Sequence, residues 1–353
     1  MFSDSSILYH GYWNKTTNKK EGVGVELNIK SGEIYQGEWH NDLRHGKGRL
    51  LLGIGDCYTG TFLNGIIEGE GILNFNNGNS YEGSWYNGKR EGKGVYTWKN
   101  NEIFVRYEGE FKDNKRHGTG TMTYTNESIY VGEWKSGIRE GKGKLDNKNG
   151  ESYIGSWKSD MRDGMGKRKY VNNDFYEGEF TKDQKHGKGK YQWVSGKIYS
   201  GDWKMGVRTG KGTLIWENST KYEGEFKNGQ RDGYGLYTEE DGTMYRGEWK
   251  ADKIEGYGYM KYNNGDEYIG DFSDNKKEGR GVYIWVNGYV YDGEMMNDKK
   301  GGEGVVYRLN PDDDDTEEND IPMEAQSTII KGYEEQYPHS GSTINLITEH
   351  QWT

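Results

Sequence analysis

The sequence predicts an all-β fold, an elongated single-sheet rod of stacked β-hairpins with a short C-terminal tail. Three observations carry this. Tyr35, Tyr58 and Tyr81, then Tyr107, Tyr130, Tyr153, Tyr176, Tyr199, Tyr222, Tyr245, Tyr268 and Tyr291, recur every 23 residues, with one spacing of 26 between Tyr81 and Tyr107. Each is followed by Gly two residues on and Trp or Phe four on, except for Met295, and by further glycines at eleven and thirteen. Alternation at i, i+2 and i+4 is the period of a strand, and a fixed short period is the mark of a linear repeat array.

Taken in order, residues 1–8 form a leader before a looser first copy with Tyr9, Gly11 and Trp13, whose later glycines are delayed to Gly22 and Gly24. Thirteen units then run over residues 9–310. Within a unit, Tyr130-Val-Gly132-Glu-Trp134 reads as one strand and Gly141-Lys-Gly143-Lys-Leu145 as the next. Polar turns such as Asn87-Gly88-Lys89-Arg90 separate them, so each unit is a hairpin. The expected register sets the aromatic opposite the glycine at eleven, Trp134 over Gly141, and the other two glycines opposite each other. On the far face it pairs Glu38 with Lys47, Glu133 with Lys142, Glu179 with Lys188, Asp202 with Lys211 and Asp271 with Arg280. Three glycines per unit imply close packing or sharp bending, against the alternative of a groove held open for a ligand backbone. The last unit, with Met295 and the extra Gly301, reads as a cap. Pro311 and Asp312 to Asp315 open an acidic linker over 311–320, and residues 321–353 form a tail for docking or partner binding. Its apolar anchors are Ile329, Ile330, Tyr333, Tyr337, Ile344, Leu346 and Trp352, and docking on the array and binding another protein both stay open.

An apolar content of 31% and a mean hydropathy of -1.11 resemble those of a disordered chain, but periodic aromatics bury much area per residue. The net charge of -10 resides in residues 311–353, which hold eleven acidic side chains and Lys331, leaving 46 acids and 46 bases in the rest. A neutral body argues against nucleic-acid binding by net charge. Cys57 is the only cysteine, which excludes an intrachain disulfide and a cysteine-based zinc site. The start predicts no secretory signal, and no stretch reaches the ~18 apolar residues of a membrane helix. A cytoplasmic setting is expected, in which the sequons at Asn14, Asn126 and Asn218 carry no sugar. Gly206 to Gly212 imitates a phosphate loop one residue short and without its Ser or Thr. His45, His117 and His186 fall at one turn position of separate units. No cofactor, metal site or catalytic set is expected.

These residues resemble the MORN repeat, Tyr-x-Gly-x-Trp/Phe, a turn, then Gly-x-Gly, over about 85% of the chain. The resemblance implies an all-β hairpin array serving as a non-enzymatic scaffold in a cytoskeletal assembly. It is similar to radial-spoke-head components of the ciliary axoneme and to scaffolds of the cortical or basal cytoskeleton. Implied partners are proteins of such a complex, with self-association through a terminal repeat as a further expectation. The alternative is a membrane-junction adaptor that binds phosphoinositide through a basic edge of hairpin tips. That edge comprises Arg44, Lys89, Arg90, Lys115, Arg116, Arg139, Arg162, Lys185, Arg208, Arg231, Lys253, Lys276, Lys277, Lys299 and Lys300. The bland reading is a solvated edge balanced by neighbouring acids.

Thirteen hairpins at about 4.8 Å per strand predict a rod near ~120 Å long. Small-angle scattering should return that maximum dimension; a particle of about 50 Å would rule the array out.

Overall fold

A computed structural model describes residues 6–308. They form twenty-six strands, and no helix occurs among the described residues. The chain divides into two units, residues 1–214 and 215–353. In the first, hairpins headed by Tyr9 through Tyr176 pair in series, each passing its second strand to the next repeat, as far as the strand Ile198–Lys204. In the second, the hairpins headed by Tyr222, Tyr245, Tyr268 and Tyr291 pair the same way. All these pairings are antiparallel. The looser first copy is a full hairpin with Gly11 opposite Gly24. The acidic linker and the tail with its anchors lie outside the described residues.

The hairpin of Tyr130 shows how a single layer of strands makes a core. Gly132 faces Gly143, as expected from the sequence. The Tyr130 ring lies flat across this bare pair: a Cβ on Gly143 would stand 2.3 Å from its hydroxyl oxygen and 2.5 Å from Cζ. The hydroxyl donates to the Glu133 carbonyl at 3.1 Å, closing the ring over its own backbone. Tyr130 is thereby fully buried, and the space above the glycines is filled, not held open as a groove.

The rest of the expected register is corrected. Past the glycine pair the ladder slips, and Trp134 faces Arg139. Gly141 sits in the bulge at φ +75, a left-handed conformation that side chains resist. It faces Trp157 of the following repeat, so the aromatic covers its predecessor's glycine. The slip also removes the expected acid–base pairs: Glu38 faces His45 and Glu179 faces His186. Instead each carboxylate accepts the backbone N–H of its expected partner. Lys47 donates to Glu38 at 3.1 Å, Lys142 to Glu133 at 2.7 Å, Lys188 to Glu179 at 2.9 Å and Lys211 to Asp202 at 3.1 Å. Arg280 donates likewise to Asp271. A bulge exposes N–H groups that the ladder no longer uses, and the nearby carboxylate satisfies them.

Gly143→Ala should therefore destabilise its unit by ~2–3 kcal/mol, through overpacking against the ring. Gly137→Ala, at a positive φ with open space around it, should cost only ~1 kcal/mol. Chemical denaturation measures both; equal losses would show that the ring does not dictate the glycine.

Candidate interaction surfaces

One face of each unit is an aromatic ladder. Tyr130 meets Trp134 of its own strand edge-on at 5.2 Å and Trp157 of the next repeat at 5.3 Å. Tyr153 repeats this with Trp157 at 5.2 Å and Phe180 at 5.2 Å. Each edge-to-face contact adds ~0.5–1.5 kcal/mol beyond area burial. The indole N–H of Trp157 donates to the Gly143 carbonyl at 3.0 Å, tying repeats through backbone as well as rings. Burial pushes the tyrosine hydroxyls up, to about 12 for Tyr35, Tyr58 and Tyr153, so they stay neutral donors.

The hairpin-tip bases split into two rows by strand alternation. Nine residues after the tyrosine stand Arg44, Arg90, Arg116, Arg139, Arg162, Lys185, Arg208, Arg231, Lys277 and Lys300, over the aromatic ladder. Arg139 lies 4.2 Å from the Trp157 ring centre, Arg231 4.1 Å from Trp249, and Lys300 4.2 Å from Trp285. Arg44, Arg90, Arg162, Arg208 and Lys277 stand 5.1–5.8 Å from tyrosine rings, and Arg116 lies 4.4 Å from Trp134. Several of these cations, among them Arg90, Arg116, Arg139, Arg162, Arg231 and Lys277, also bind the following turn. Arg139 Nε reaches the Asp160 carboxylate at 3.1 Å and its Nη2 the Asp160 carbonyl at 2.7 Å, with Arg162 on Asp183 and Arg231 on Asp252 alike. Lys185, 4.1 Å from Trp203, is pushed down to about 8 by burial, with Arg168 and Arg208 adding to the effect.

The other row, one residue earlier, comprises Lys89, Lys115, Lys253, Lys276 and Lys299 and is exposed. Lys89 pairs with Asp113 at 2.6 Å, Lys253 with Asp274, and Lys276 contacts Asn297 Oδ1 at 3.0 Å. Of the residues expected to form one basic edge, only this sparse row is fully presented to solvent along with Lys300.

A further coupling between repeats is acidic. The residue before the bulge glycine caps the next repeat's turn: Glu91 accepts from Asp113 N–H at 2.9 Å, Glu140 from Ser159 at 2.9 Å and Glu278 from Asn297 at 2.8 Å. His45, His117 and His186 occupy this position in their units. Its signal, an acid just before Gly-x-Gly, was present in the sequence. At the opposite hairpin ends, Asp266 is buried, accepting from the Tyr283 hydroxyl and Val286 N–H, both at 2.9 Å.

The pseudo phosphate loop is a turn and a strand, Val207–Ile215, with Gly206 and Gly210 both at positive φ. Among the described residues no three metal-ligating side chains converge, and no helix is long and apolar enough to cross a membrane.

The MORN repeat profile matches residues 35–57, 58–80, 81–103, 107–129, 130–152, 153–175, 176–198, 199–221, 222–244, 245–267, 268–288 and 291–308. These are twelve units; the hairpin of Tyr9 adds the looser thirteenth. No curated protein matches the chain. Among solved structures, the TCP domain of Drosophila melanogaster SAS-4, bound to a proline-rich motif of Ana2, is 14% identical, with a TM-score of 0.25 over 52% of this chain and 85% of that one. The TCP10 domain of Danio rerio CPAP with a STIL peptide is 8% identical, with a TM-score of 0.29 over 68% and 94%. At these scores the likenesses carry no functional argument.

Replacing Arg139 by Ala should cost ~1–2 kcal/mol through the lost ring contact and turn hydrogen bonds. Lys89→Glu should leave the denaturation midpoint nearly unchanged. Equal effects would place both side chains in one solvated edge.

Proposed function

Because the chain belongs to the MORN-repeat family, we propose that it is a non-enzymatic scaffold of a cytoskeletal assembly. The setting we favour is a ciliary axoneme, radial-spoke-like, with the cortical or basal cytoskeleton next, and protein partners that bind along the array. The observation that carries this is the use of the repeated chemistry. Tyrosine hydroxyls and bulge carboxylates close each repeat on its own backbone, and indole N–H groups and stacked arginines join it to its neighbour, as Tyr130, Glu133, Trp157 and Arg139 show. What varies from unit to unit is the exposed side chains between them, a surface suited to reading proteins rather than transforming small molecules.

The phosphoinositide reading loses support from the same geometry. Arg139, Arg162 and Arg231 are 17–19% exposed and bound to aspartates, so they are not free to meet headgroups. Lipid binding would fall to Lys89, Lys115, Lys253, Lys276 and Lys299.

A tagged copy should remain with the detergent-insoluble cytoskeleton and decorate a discrete structure; full release by detergent would overturn the scaffold reading. With phosphoinositide vesicles at low salt the protein should stay in the supernatant. Pelleting that is lost on Lys89→Glu, Lys115→Glu, Lys276→Glu and Lys299→Glu would establish the membrane adaptor instead.

A further inference from the structure

The reverse face of the sheet, opposite the aromatic ladder, differs in the second unit. Ladder pairing places Leu236, Arg246, Tyr259, Ile269, Val282, Asp292 and Val305 in one row across its strands. A neighbouring row brings Ile284, Val290 and Tyr307 together. The matching row of the first unit alternates among charged, polar and scattered apolar side chains, as in Thr121, Val131, Lys144, Ile154 and Lys167.

Burial differs more than composition does. Val282 is 4% and Val290 2% exposed, whereas their counterparts Ile72 and Ile129 are 39% and 42% exposed. The paired glycines report the same thing. Every paired glycine from Gly235 to Gly293 is buried, with Gly224 before them half-buried and Gly304 after them exposed. In the first unit most, such as Gly60, Gly71, Gly132, Gly143, Gly189 and Gly201, are half-buried beneath the same tyrosine rings, and only Gly24, Gly166 and Gly178 are buried. Their ladder side is covered alike in both units, so the added cover lies on the reverse face. Burial also holds the Asp271 carboxyl above the usual range. Every described strand of this unit belongs to the one layer, and its substantial contacts are with its ladder neighbours.

We infer that residues 321–353 of this chain dock on that face, over the strands from Gly235 to Gly293. The occupant is set by reach and composition. The chain leaves the last strand at Arg308, and the twelve residues 309–320 span up to ~40 Å when extended. Six strand spacings from the strand Lys299–Arg308 back to Gln230–Thr238 cover about 29 Å. The segment that follows carries Ile329, Ile330, Tyr333, Tyr337, Ile344, Leu346 and Trp352, an apolar density that the acidic linker lacks. Tethering raises its local concentration at this face far above that of a separate partner. The docked tail makes the reverse face of these repeats a built surface of the molecule, and the tail a segment that a partner must displace or read in place.

The test is thiol reactivity in the full chain with Cys57→Ser. A cysteine introduced by Val290→Cys should react with a maleimide ~10-fold or more slowly than one introduced by Ile129→Cys. Adding Ile344→Asp and Leu346→Asp, or ending the chain at residue 320, should bring the two rates together. Equal rates in the full chain, or protection that survives both tail changes, would overturn the inference. Protection that falls on dilution would assign the face to a second copy and overturn it as well. Should Val290→Cys unfold the chain, trypsin cleavage after Lys331 serves with position 290 intact: it should be slow in the parent and fast after Ile269→Asp, and equal rates count against docking.

Discussion

Each repeat depends on a tyrosine ring laid across a pair of glycines. A single layer of strands has no second sheet against which to bury apolar surface, so its core must be made from its own backbone. The ring of Tyr130 does this by occupying the volume that two Cβ atoms would take, and its hydroxyl closes on the Glu133 carbonyl. Two glycines in adjacent strands are costly in chain entropy, and the flat contact with an aromatic ring offsets that cost. The remaining features follow from this placement. The ring's two edges accept one aromatic from its own strand and one from the next repeat, and the cation of the tip lies against that second aromatic.

Coupling within each unit is therefore between neighbours, and it uses four devices at once: rings, an indole N–H on a glycine carbonyl, an arginine on the following turn, and an acid capping that turn. Such an array stabilises itself in small increments, with local opening confined to a repeat and its neighbours. It also explains how a chain with 31% apolar residues folds. Polar side chains supply the interfaces that a thick core supplies elsewhere, by meeting backbone groups of the bulge and of the next repeat's turn.

The strands, the glycine pairing and the complete first hairpin were legible in the sequence, because alternation and period state them directly. The bulge was not. Nothing in Glu-Gly-Lys-Gly announces that Gly141 takes φ +75, and that one residue moves the aromatic's glycine partner from its own hairpin to the preceding one. The same slip turned expected ion pairs into carboxylates on backbone N–H groups. The basic edge was legible as composition but not as geometry: Lys89 and Arg90 are adjacent in sequence, yet alternation sends one to solvent and the other over the Tyr81 and Tyr96 rings.

Repetition leaves little freedom on the aromatic face, where each position is dictated by contacts with the next unit. Freedom remains on the reverse face, at positions that alternate away from the ladder, and there the last repeats depart from the rest. Tyr259, Ile269 and Val282 replace the charged side chains common at earlier counterparts, such as Lys144, Glu177 and Lys190. Individuality in such a chain is thus best sought on the face that the repeat does not constrain.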